Sequence, residues 1–306
     1  MDRWFLQVVN QAFVHPGLDW LMVAVTVGAV PALPLVGWLL MRRQRVRLGW
    51  TLLTALVCSL CLTLIFYYLA LRPRPTEVRL LLPTPPFPSY PSGHTAAAFA
   101  TVAVLALASR RWWVTSLAVA GALLISLSRL YLGHHYPSDV VGGAVLGLAV
   151  GASVYGVRHG GTTLVDRLQW LIWSQAAIVF VVTQMAYLDL LPKQLLAWPL
   201  SDKVMHGLLF GAVVFWLNLW LNNRSMAYRG WSYPLAIVLP FTLAVLEEGL
   251  QAFSPLRTAD LTDLLSDFMS MSCFWWLSVR LLEGQGWAAA QEKLEARGWQ
   301  GEEVTR

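Results

Sequence analysis

Residues 49–75 read GWTLLTALVCSLCLTLIFYYLALRPRP, and no charged side chain occurs in this stretch before Arg72. A single α-helix needs about 20 apolar residues to cross the hydrocarbon core of a bilayer, and residues 49–71 are long enough to do so. The run ends in the basic segment LRPRP at 71–75. This stretch therefore predicts a membrane-spanning helix that leads into a cationic loop at one face of the membrane.

The composition of the whole chain agrees with this local pattern. Of the 306 residues, 57% are hydrophobic and only 13% are charged, and the mean hydropathy is +0.56. Soluble domains are about a quarter charged, so the composition excludes disordered, collagen-like and ordinary soluble proteins. The net charge of +5 does not indicate a nucleic-acid partner, because the arginines fall in short loops between apolar runs. The predicted fold class is an all-α, polytopic integral membrane protein.

The apolar runs predict nine membrane-spanning helices. They cover residues 18–41, 49–71, 94–109, 113–132, 138–157, 168–188, 204–222, 232–253 and 261–282. Residues 1–17 lack the basic start and the long apolar core of a cleavable signal peptide. Their apolar side chains recur at helical spacing, which predicts a short amphipathic helix on the membrane surface.

The basic residues of the loops predict the orientation. If the first loop is cytoplasmic, 14 of the Lys and Arg residues lie on that side and eight on the other. Cytoplasmic loops carry an excess of Lys and Arg. We therefore expect the N-terminus outside, the C-terminus in the cytoplasm, and residues 283–306 as a polar cytoplasmic tail.

Three polar segments fall on the outer side in this topology, namely LRPRP at 71–75, YPSGHT at 90–95 and SRLYLGHHYPSD at 128–139. Polar groups at membrane depth are costly, so a clustered set at helix ends indicates function. The side chains and backbone groups that we single out are those of Arg72, Arg74, Ser92, Gly93, His94, Arg129, His135 and Asp139.

These residue types suit a phosphate group. Residues 92–94 begin a helix, where free N–H groups bind anions, and Gly93 lets the backbone approach closely. Arg74 and Arg129 can each hold two phosphate oxygens. No acidic cluster here could hold a metal, so we expect no metal and no cofactor, with the arginines neutralising the charge.

Two histidines and one carboxylate supply the reacting groups. Asp139 follows His135 by four residues, a spacing that lets the carboxylate hold the second imidazole nitrogen and support a covalent histidine. His94 is then available as a general acid. Each segment alone also fits a structural role without catalysis. PSGH could be an ordinary helix start, RPRP a basic loop near the lipid headgroups, and His134 a dispensable loop histidine. The three in order on one side favour catalysis.

The three segments together resemble the signature of the type 2 phosphatidic acid phosphatase family. The match consists of Arg74-Pro75, Pro91-Ser92-Gly93-His94, and Ser128-Arg129 followed by His135 and Asp139. The resemblance covers residues 1–157 with five spans, and it implies metal-independent dephosphorylation of lipid phosphates or diphosphates. It also implies a phosphohistidine on His135, oriented by Asp139, with His94 protonating the leaving group.

The same resemblance implies that Arg74, Ser92, Gly93 and Arg129 of this chain bind the phosphate. One position departs from the pattern. The family usually has Lys seven residues before the motif arginine, and this chain has Tyr67 there. Arg72 is the residue that we expect to replace the missing charge.

A second polar set lies in the last four predicted spans, also toward the outer side. It contains Asp202, Lys203, His206, Glu247, Gln251, Arg257, Asp263 and Asp267. Three interpretations stay open: a structural network between helices, a second ligand or headgroup site, and a His/carboxylate metal site, which a single histidine supports weakly.

Residues 168–282 resemble the VanZ-like family, which is associated with teicoplanin resistance. The resemblance rests on the pattern DK..H, E..Q.....R and D..D...D, although Asp267 and Ser270 stand where that family often has Asn and Gly. It implies no established chemistry, so we assign no catalytic role to this half.

The sequence thus predicts a multi-pass lipid phosphatase of the bacterial inner membrane whose site faces the periplasm or the cell exterior. Undecaprenyl diphosphate, phosphatidylglycerol phosphate and phosphatidate are the candidate substrates. The alternative is a lipid-binding or transport protein with a vestigial site, and a vanadate haloperoxidase is a third, less favoured interpretation. The sequence leaves the oligomeric state open.

Overall fold

A computed structural model of the chain describes residues 2–192, 201–251 and 261–296. The elements in chain order are α1 (Asp2–Gln11), α2 (Pro16–Arg42), α3 (Val46–Ala70), α4 (Gly93–Ala108), α5 (Trp112–Tyr131), α6 (Pro137–His159), α7 (Leu164–Leu168), α8 (Leu171–Tyr187), α9 (Ser201–Leu221), β1 (Ser225–Tyr228), β2 (Trp231–Pro234), α10 (Leu235–Gln251) and α11 (Leu261–Ala296). The protein is mostly helical, as its composition predicts.

Six helical stretches within the described residues are long and apolar enough to cross a membrane. They are Pro16–Arg42, Val46–Ala70, Trp112–Tyr131, Pro137–His159, Leu164–Tyr187 and Lys203–Leu221. Gly93–Ala108 and Leu235–Leu246 are apolar but shorter. The prediction of a polytopic helical membrane protein is therefore confirmed at this level, while the count of nine spans and the orientation stay predictions.

A β-hairpin interrupts the region in which the eighth span was predicted to begin. Strands β1 and β2 pair antiparallel, with Tyr228 opposite Trp231. The two turn residues between them, Arg229 and Gly230, have φ of 50° and 82°, which is the geometry of a tight two-residue hairpin turn. The expectation of an exclusively helical chain is wrong here, because local turn chemistry overrides the apolar character of residues 231–234.

The helix of the ninth predicted span is longer than expected. Helix α11 continues without a break to Ala296, so the first part of the predicted polar tail is helical.

A glycine stripe on α6 sets the distance between α4 and α6. Cβ atoms built on Gly143, Gly147 and Gly151 would lie 2.5, 2.1 and 2.5 Å from the carbonyl oxygens of Ser92, Ala96 and Ala100. Only residues without a side chain allow two backbones to approach this closely. The stripe therefore fixes the start of α6 against the start of α4, and these two helix starts carry the predicted catalytic segments.

The chain divides into two compact units. The first contains α1 to α6 together with most of α8, and the second contains α7, the start of α8, and the elements from α9 onward. Within the first unit, Val181 and Met185 of α8 share an apolar core with Phe66 of α3 and Leu146 of α6. Helix α8 thus packs on the helices that carry the predicted catalytic segments, although it falls on the far side of the predicted boundary at 157–168. Division into domains 1–157, 168–282 and 283–306 stays a prediction.

Candidate active site

The predicted catalytic and phosphate-binding residues of the first unit meet at one end of its helices. Helix α3 ends just before the segment of Arg72 and Arg74, α4 begins at Gly93, α5 ends just after Arg129, and α6 begins just before Asp139. His135, Asp139 and Arg129 are 1%, 0% and 2% exposed. The structure therefore encloses this set of polar groups away from bulk water.

His135 is held in one tautomer by a backbone carbonyl. Its Nδ1 lies 2.8 Å from the carbonyl oxygen of Ser89 and 3.5 Å from Oδ2 of Asp139. A carbonyl can only accept, so Nδ1 carries the proton and Nε2 keeps its lone pair. Nε2 lies 3.3 Å from Nη1 of Arg74. The sequence predicted that Asp139 alone orients the His135 ring, whereas the acceptor nearest to its Nδ1–H is the Ser89 carbonyl.

Burial and positive neighbours keep the imidazole of His135 neutral. Burial lowers its pKa well below the ordinary value of 6.5, and the charges of Arg129 and Arg74 lower it further. A neutral imidazole with an unprotonated Nε2 is the form that can attack an electrophile.

Asp139 is bound by Arg72 and by the backbone. Its Oδ1 accepts from Nη1 of Arg72 at 2.5 Å, and its Oδ2 accepts from the N–H of Tyr136 at 2.8 Å. Nη1 of Arg72 also donates to Oγ of Ser138 at 2.7 Å. The carboxylate is thereby fixed beside His135 by the Arg72 guanidinium and the Tyr136 N–H, and Ser138 helps to hold Arg72.

Asp2 of the N-terminal helix completes this network. It accepts from Nη2 of Arg72 at 2.9 Å and from the N–H of Ser138 at 3.1 Å, and the hydroxyl of Ser138 also donates to it. Although burial opposes it, the hydrogen bonds from Ser138 and Arg72 lower the pKa of Asp2. The pKa of Arg72 is raised, since Asp139 and Asp2 outweigh the effect of its burial.

The expectation that Arg72 replaces the missing family lysine is therefore wrong. Its guanidinium is committed to Asp139, Ser138 and Asp2, and it stacks over the ring of Tyr136 at 4.2 Å. The residue at the lysine position itself, Tyr67, reaches the site instead. A Cβ on Gly93 would lie 3.3 Å from the Tyr67 hydroxyl, and this hydroxyl also interacts with Arg74.

Arg74 is positioned by main-chain carbonyls. It donates from Nε to Phe87 at 2.8 Å, from Nη1 to His134 at 2.8 Å and from Nη2 to Pro88 at 3.2 Å. Burial lowers the pKa of this guanidinium, yet an arginine stays charged in proteins. Arg74 thus presents a fixed positive charge next to Nε2 of His135.

Arg129 is positioned by the histidine that sequence reasoning regarded as dispensable. Nη2 of Arg129 donates to Nδ1 of His134 at 2.9 Å, and Nε2 of His134 lies 3.3 Å from the carbonyl of Leu82. Burial and the charge of Arg129 lower the pKa of His134 to about 4, so this histidine is a neutral acceptor. Nε of Arg129 is buried without a hydrogen-bond partner among the described residues, which leaves a donor for a bound anion.

The start of α4 supplies backbone donors and the second histidine. Ser92 is the N-cap residue of α4, its N–H donates to the carbonyl of Asp139 at 2.9 Å, and its Oγ accepts from Thr95 at 3.0 Å. The first N–H groups of a helix have no partner within it. His94 is half-buried, lies within electrostatic reach of Arg129 and His135, and makes no side-chain hydrogen bond to any residue that the structure describes.

Two helices outside the predicted motifs hold the site loops. Buried Asn10 of α1 donates to the carbonyls of Arg79 and Tyr131 at 2.9 and 2.7 Å. Gln184 of α8 lies 2.8 Å from the hydroxyl of Tyr90 and donates to the carbonyl of Ser138 at 3.2 Å. Sequence reasoning missed Asn10 and Gln184, because each acts across a sequence separation of 46 to 121 residues.

The second polar set is described in part. Arg257 lies outside the described residues, and for Asp202, Glu247, Gln251 and Asp263 the structure describes the backbone alone. The others connect α9 to α11: Nζ of Lys203 donates to Thr262 at 2.5 Å, and Nδ1 of His206 lies 3.9 Å from Oδ2 of buried Asp267. These contacts are those of a network between two helices, and they do not test the ligand or metal interpretations.

No group of three or more His, Cys, Asp or Glu side chains able to hold a metal ion occurs within residues 2–192, 201–251 and 261–296, insofar as their side chains are described. The donors of the first-unit site are guanidinium groups, imidazoles and backbone N–H groups, and these bind anions.

Comparison with known proteins identifies the family. Residues 34–161 match the model of the PAP2 superfamily. The undecaprenyl-diphosphatase BcrC of Bacillus subtilis is 34% identical over 145 residues, which is 44% of this chain and 72% of that protein. The chain belongs to the PAP2 superfamily. The predicted membership of the type 2 phosphatidic acid phosphatase family is thereby confirmed, while the VanZ-like resemblance stays a prediction.

Two further similar proteins illustrate the extent of the match. The undecaprenyl-diphosphatase of Sulfolobus acidocaldarius is 34% identical over 120 residues, so the match covers 38% of this chain and only 57% of that relative. The crystal structure of a transmembrane PAP2-type phosphatidylglycerolphosphate phosphatase from Bacillus subtilis covers 50% of this chain and 84% of its own, at 23% identity and a TM-score of 0.44.

Proposed function

We propose that this PAP2 protein is a membrane lipid phosphatase that works without a metal ion, through a phosphohistidine on His135. The observation that carries the proposal is the state of this imidazole. Nδ1–H is fixed on the Ser89 carbonyl at 2.8 Å, which leaves the Nε2 lone pair beside the guanidinium of Arg74 at 3.3 Å. Nη1 of Arg74 donates to this unprotonated nitrogen, so the nitrogen that would attack lies beside a guanidinium that can also hold a phosphate oxygen.

In the first step, Nε2 of His135 attacks the phosphorus atom and the bond to the lipid oxygen breaks. Arg74, Arg129 and the first N–H groups of α4 neutralise the charge that builds on the phosphoryl oxygens. His94 donates a proton to the departing lipid oxygen. Asp139 and the Ser89 carbonyl stabilise the imidazolium that the attack creates.

In the second step, water attacks the phosphohistidine. His94 is now neutral and accepts a proton from the water, while the bond between Nε2 and phosphorus breaks. Inorganic phosphate leaves, and His135 returns to its neutral state. The imidazole of His94 thus acts as a general acid in the first step and as a general base in the second, as microscopic reversibility requires.

The substrate class is a lipid phosphate or diphosphate. Two of the relatives named above are undecaprenyl-diphosphatases, and this supports undecaprenyl diphosphate as the first substrate to test, with phosphatidylglycerol phosphate and phosphatidate beside it. The half-buried His94 and the buried guanidinium of Arg129 suit a phosphate group that enters on an apolar anchor.

The topology that we propose has nine spans, the N-terminus outside, the C-terminus in the cytoplasm and the active site at the periplasmic or outer face of a bacterial inner membrane. Its support is the arginine distribution between loops. Membrane-impermeant labelling of single cysteines introduced at Glu77 and at Arg110 tests it. Labelling of the first alone in intact cells supports this orientation, and labelling of the second alone overturns it.

For the second unit we propose a VanZ-like module that shapes lipid access to the site. Its support is the resemblance of residues 168–282 to that family, and Lys203 and Asp267 are the described members of the second polar set that connect α9 to α11. If Lys203→Gln and Asp267→Asn, singly and together, change neither the substrate ranking nor the rate in membranes, this role is excluded.

Phosphate release by the purified protein in detergent with EDTA tests the proposed function. The three candidate lipids are compared, with His135→Ala as the matched variant. We expect turnover that survives chelation and disappears in the variant. Turnover that EDTA abolishes, or that His135→Ala retains, contradicts the mechanism. A folded protein without turnover on any lipid would favour the lipid-binding or transport alternative.

A further inference from the structure

A cavity lies at the end of the helix bundle opposite the candidate active site. It sits where α2 and α4 end and where α3 and α5 begin, and its volume is about 460 Å³. The active site lies at the start of α4 and this cavity at its end, so the 16 residues of α4 separate the two sites by about 24 Å. The proposed reaction makes no use of this cavity.

Four arginines from two loops line the cavity. Arg43 and Arg45 come from the loop between α2 and α3, and Arg110 and Arg111 come from the loop between α4 and α5. All four are exposed. Among the described residues, none of them forms an ion pair with a carboxylate. Two loops thus bring four positive charges together, and no described acidic residue neutralises them.

The inner part of the cavity is apolar. Leu40, Leu48 and Leu105 contribute to its lining beside the arginines. Trp113 also lines it and is 50% exposed. Tryptophan is enriched at the level of the lipid headgroups, so the rim of the cavity lies where the phosphate groups of a bilayer lie. An inorganic anion would leave the leucines unused, whereas a lipid would contact both parts.

We propose that this cavity binds the phosphate group of an anionic membrane lipid, with its acyl chains along the leucines. Guanidinium groups bind phosphate oxygens in a bidentate manner, and basic pockets between membrane helices bind anionic headgroups. The volume lies within the range of about 300 to 1,000 Å³ that is typical of ligand sites. The lining contains no histidine, so the proposed phosphohistidine chemistry has no counterpart at this cavity. The site is separate from the active site and does not depend on the proposed reaction.

Lipid binding to the purified full-length protein, measured by native mass spectrometry, tests this site. The test variant is Arg43→Gln/Arg110→Gln, which removes one charge from each loop. The matched control is Arg224→Gln/Arg229→Gln, which removes two exposed arginines from the side of the membrane that the topology predicts to be the same. The ligands are phosphatidylglycerol, phosphatidylcholine and soluble glycerol 3-phosphate.

We expect the affinity for phosphatidylglycerol to fall about tenfold or more in the test variant, since each interfacial arginine contributes appreciably to the binding of anionic lipid. The control should bind within about twofold of the wild type, because its arginines lie outside the cavity. Phosphatidylcholine and glycerol 3-phosphate should bind far more weakly than phosphatidylglycerol. An unchanged elution volume and unfolding temperature in detergent establish that the test variant is folded.

Three outcomes overturn the proposal. Equal losses in the test and control variants would show that general surface charge attracts the lipid. Unchanged binding in a folded test variant would place the lipid elsewhere. Binding of glycerol 3-phosphate as tight as that of phosphatidylglycerol would make this a site for free phosphate esters.

Discussion

Both ends of the helices α3 to α5 carry arginines, but the arginines are buried and hydrogen-bonded at one end and exposed at the other. At the active-site end, Arg129 is 2% exposed and the Arg72 side chain is 11% exposed, and each donates to fixed acceptors. At the other end, Arg43 and Arg110 are exposed, and no ion pair fixes them within the described part of the chain. The same residue type is thus rigid at one end and adaptable at the other.

The difference shows how burial suits a positive charge to the role that we propose for the active-site arginines. A guanidinium in a dry site interacts strongly with a developing negative charge and needs no reorganisation during the reaction. Such a group must be held by other residues, and His134, Asp139 and Asp2 do this here. An exposed arginine stays hydrated and keeps its rotamer freedom, so it can bind a lipid headgroup in several orientations.

The largest effect in this comparison is expected for Arg129→Lys. Lysine keeps the charge but loses both the fork geometry and the contact with His134. Loss of a charge-assisted pair of hydrogen bonds should lower kcat/KM by about 10- to 100-fold. Arg110→Lys, at the exposed end, is the control and should stay within about twofold. Equal effects of the two substitutions in steady-state assays would contradict the distinction between the ends.

A smaller effect is expected for Asp2→Asn, which removes the outer carboxylate from Arg72. Arg72 and Ser138 then hold Asp139 less firmly, and kcat should fall by about three- to tenfold with little change in KM. Glu77→Gln is the matched control, because Glu77 is an exposed carboxylate near Arg72 in the same loop. Asp2→Glu should recover part of the activity. Full activity of Asp2→Asn would exclude Asp2 as a positioning residue.

The pH profile measures how strongly the buried arginines act on His135. In the proposed mechanism neutral His135 is the nucleophile, and its pKa is lowered by burial first and then by Arg129 and Arg74. The acid limb of kcat/KM should therefore lie below pH 6.5. In Arg74→Gln one positive charge is gone, the pKa of His135 rises, and the acid limb moves to higher pH. A limb that stays in place or moves to lower pH would contradict this electrostatic account.

The smallest effect is expected for Tyr67→Phe. The Tyr67 hydroxyl lies beside Gly93 and Arg74, so its loss should weaken phosphate binding and raise KM by about two- to fivefold. Tyr68→Phe is the control, because the neighbouring side chain is 64% exposed on the outer surface of α3. Identical KM values for the two variants would show that the hydroxyl of Tyr67 does not contribute.

The sequence predicted the helices and the motif residues because both depend on local patterns. Apolar runs give the spans, and the spacing of His135 and Asp139 brings these side chains within 3.5 Å of each other. The hairpin at 225–234 escaped prediction, since its strands are short and its turn contains only Arg229 and Gly230.

The supporting groups could not be predicted from the sequence in the same way. The acceptor of His135 is the main-chain carbonyl of Ser89, and a carbonyl carries no residue-specific signal. Asp2 reaches Ser138 across a separation of 136 residues. Such contacts depend on the packing of α1 and of the glycine stripe of α6, which only the fold reveals.

Rapid quenching with a lipid substrate that carries a radiolabelled phosphate tests whether His135 becomes phosphorylated. We expect label on the wild-type protein that is stable in alkali and lost in acid, as a phosphoramidate bond requires, with no label on His135→Ala. Label that persists in His135→Ala, or turnover by the wild type without any protein-bound label under conditions that would trap a phosphohistidine, would exclude His135 as the phosphorylated residue.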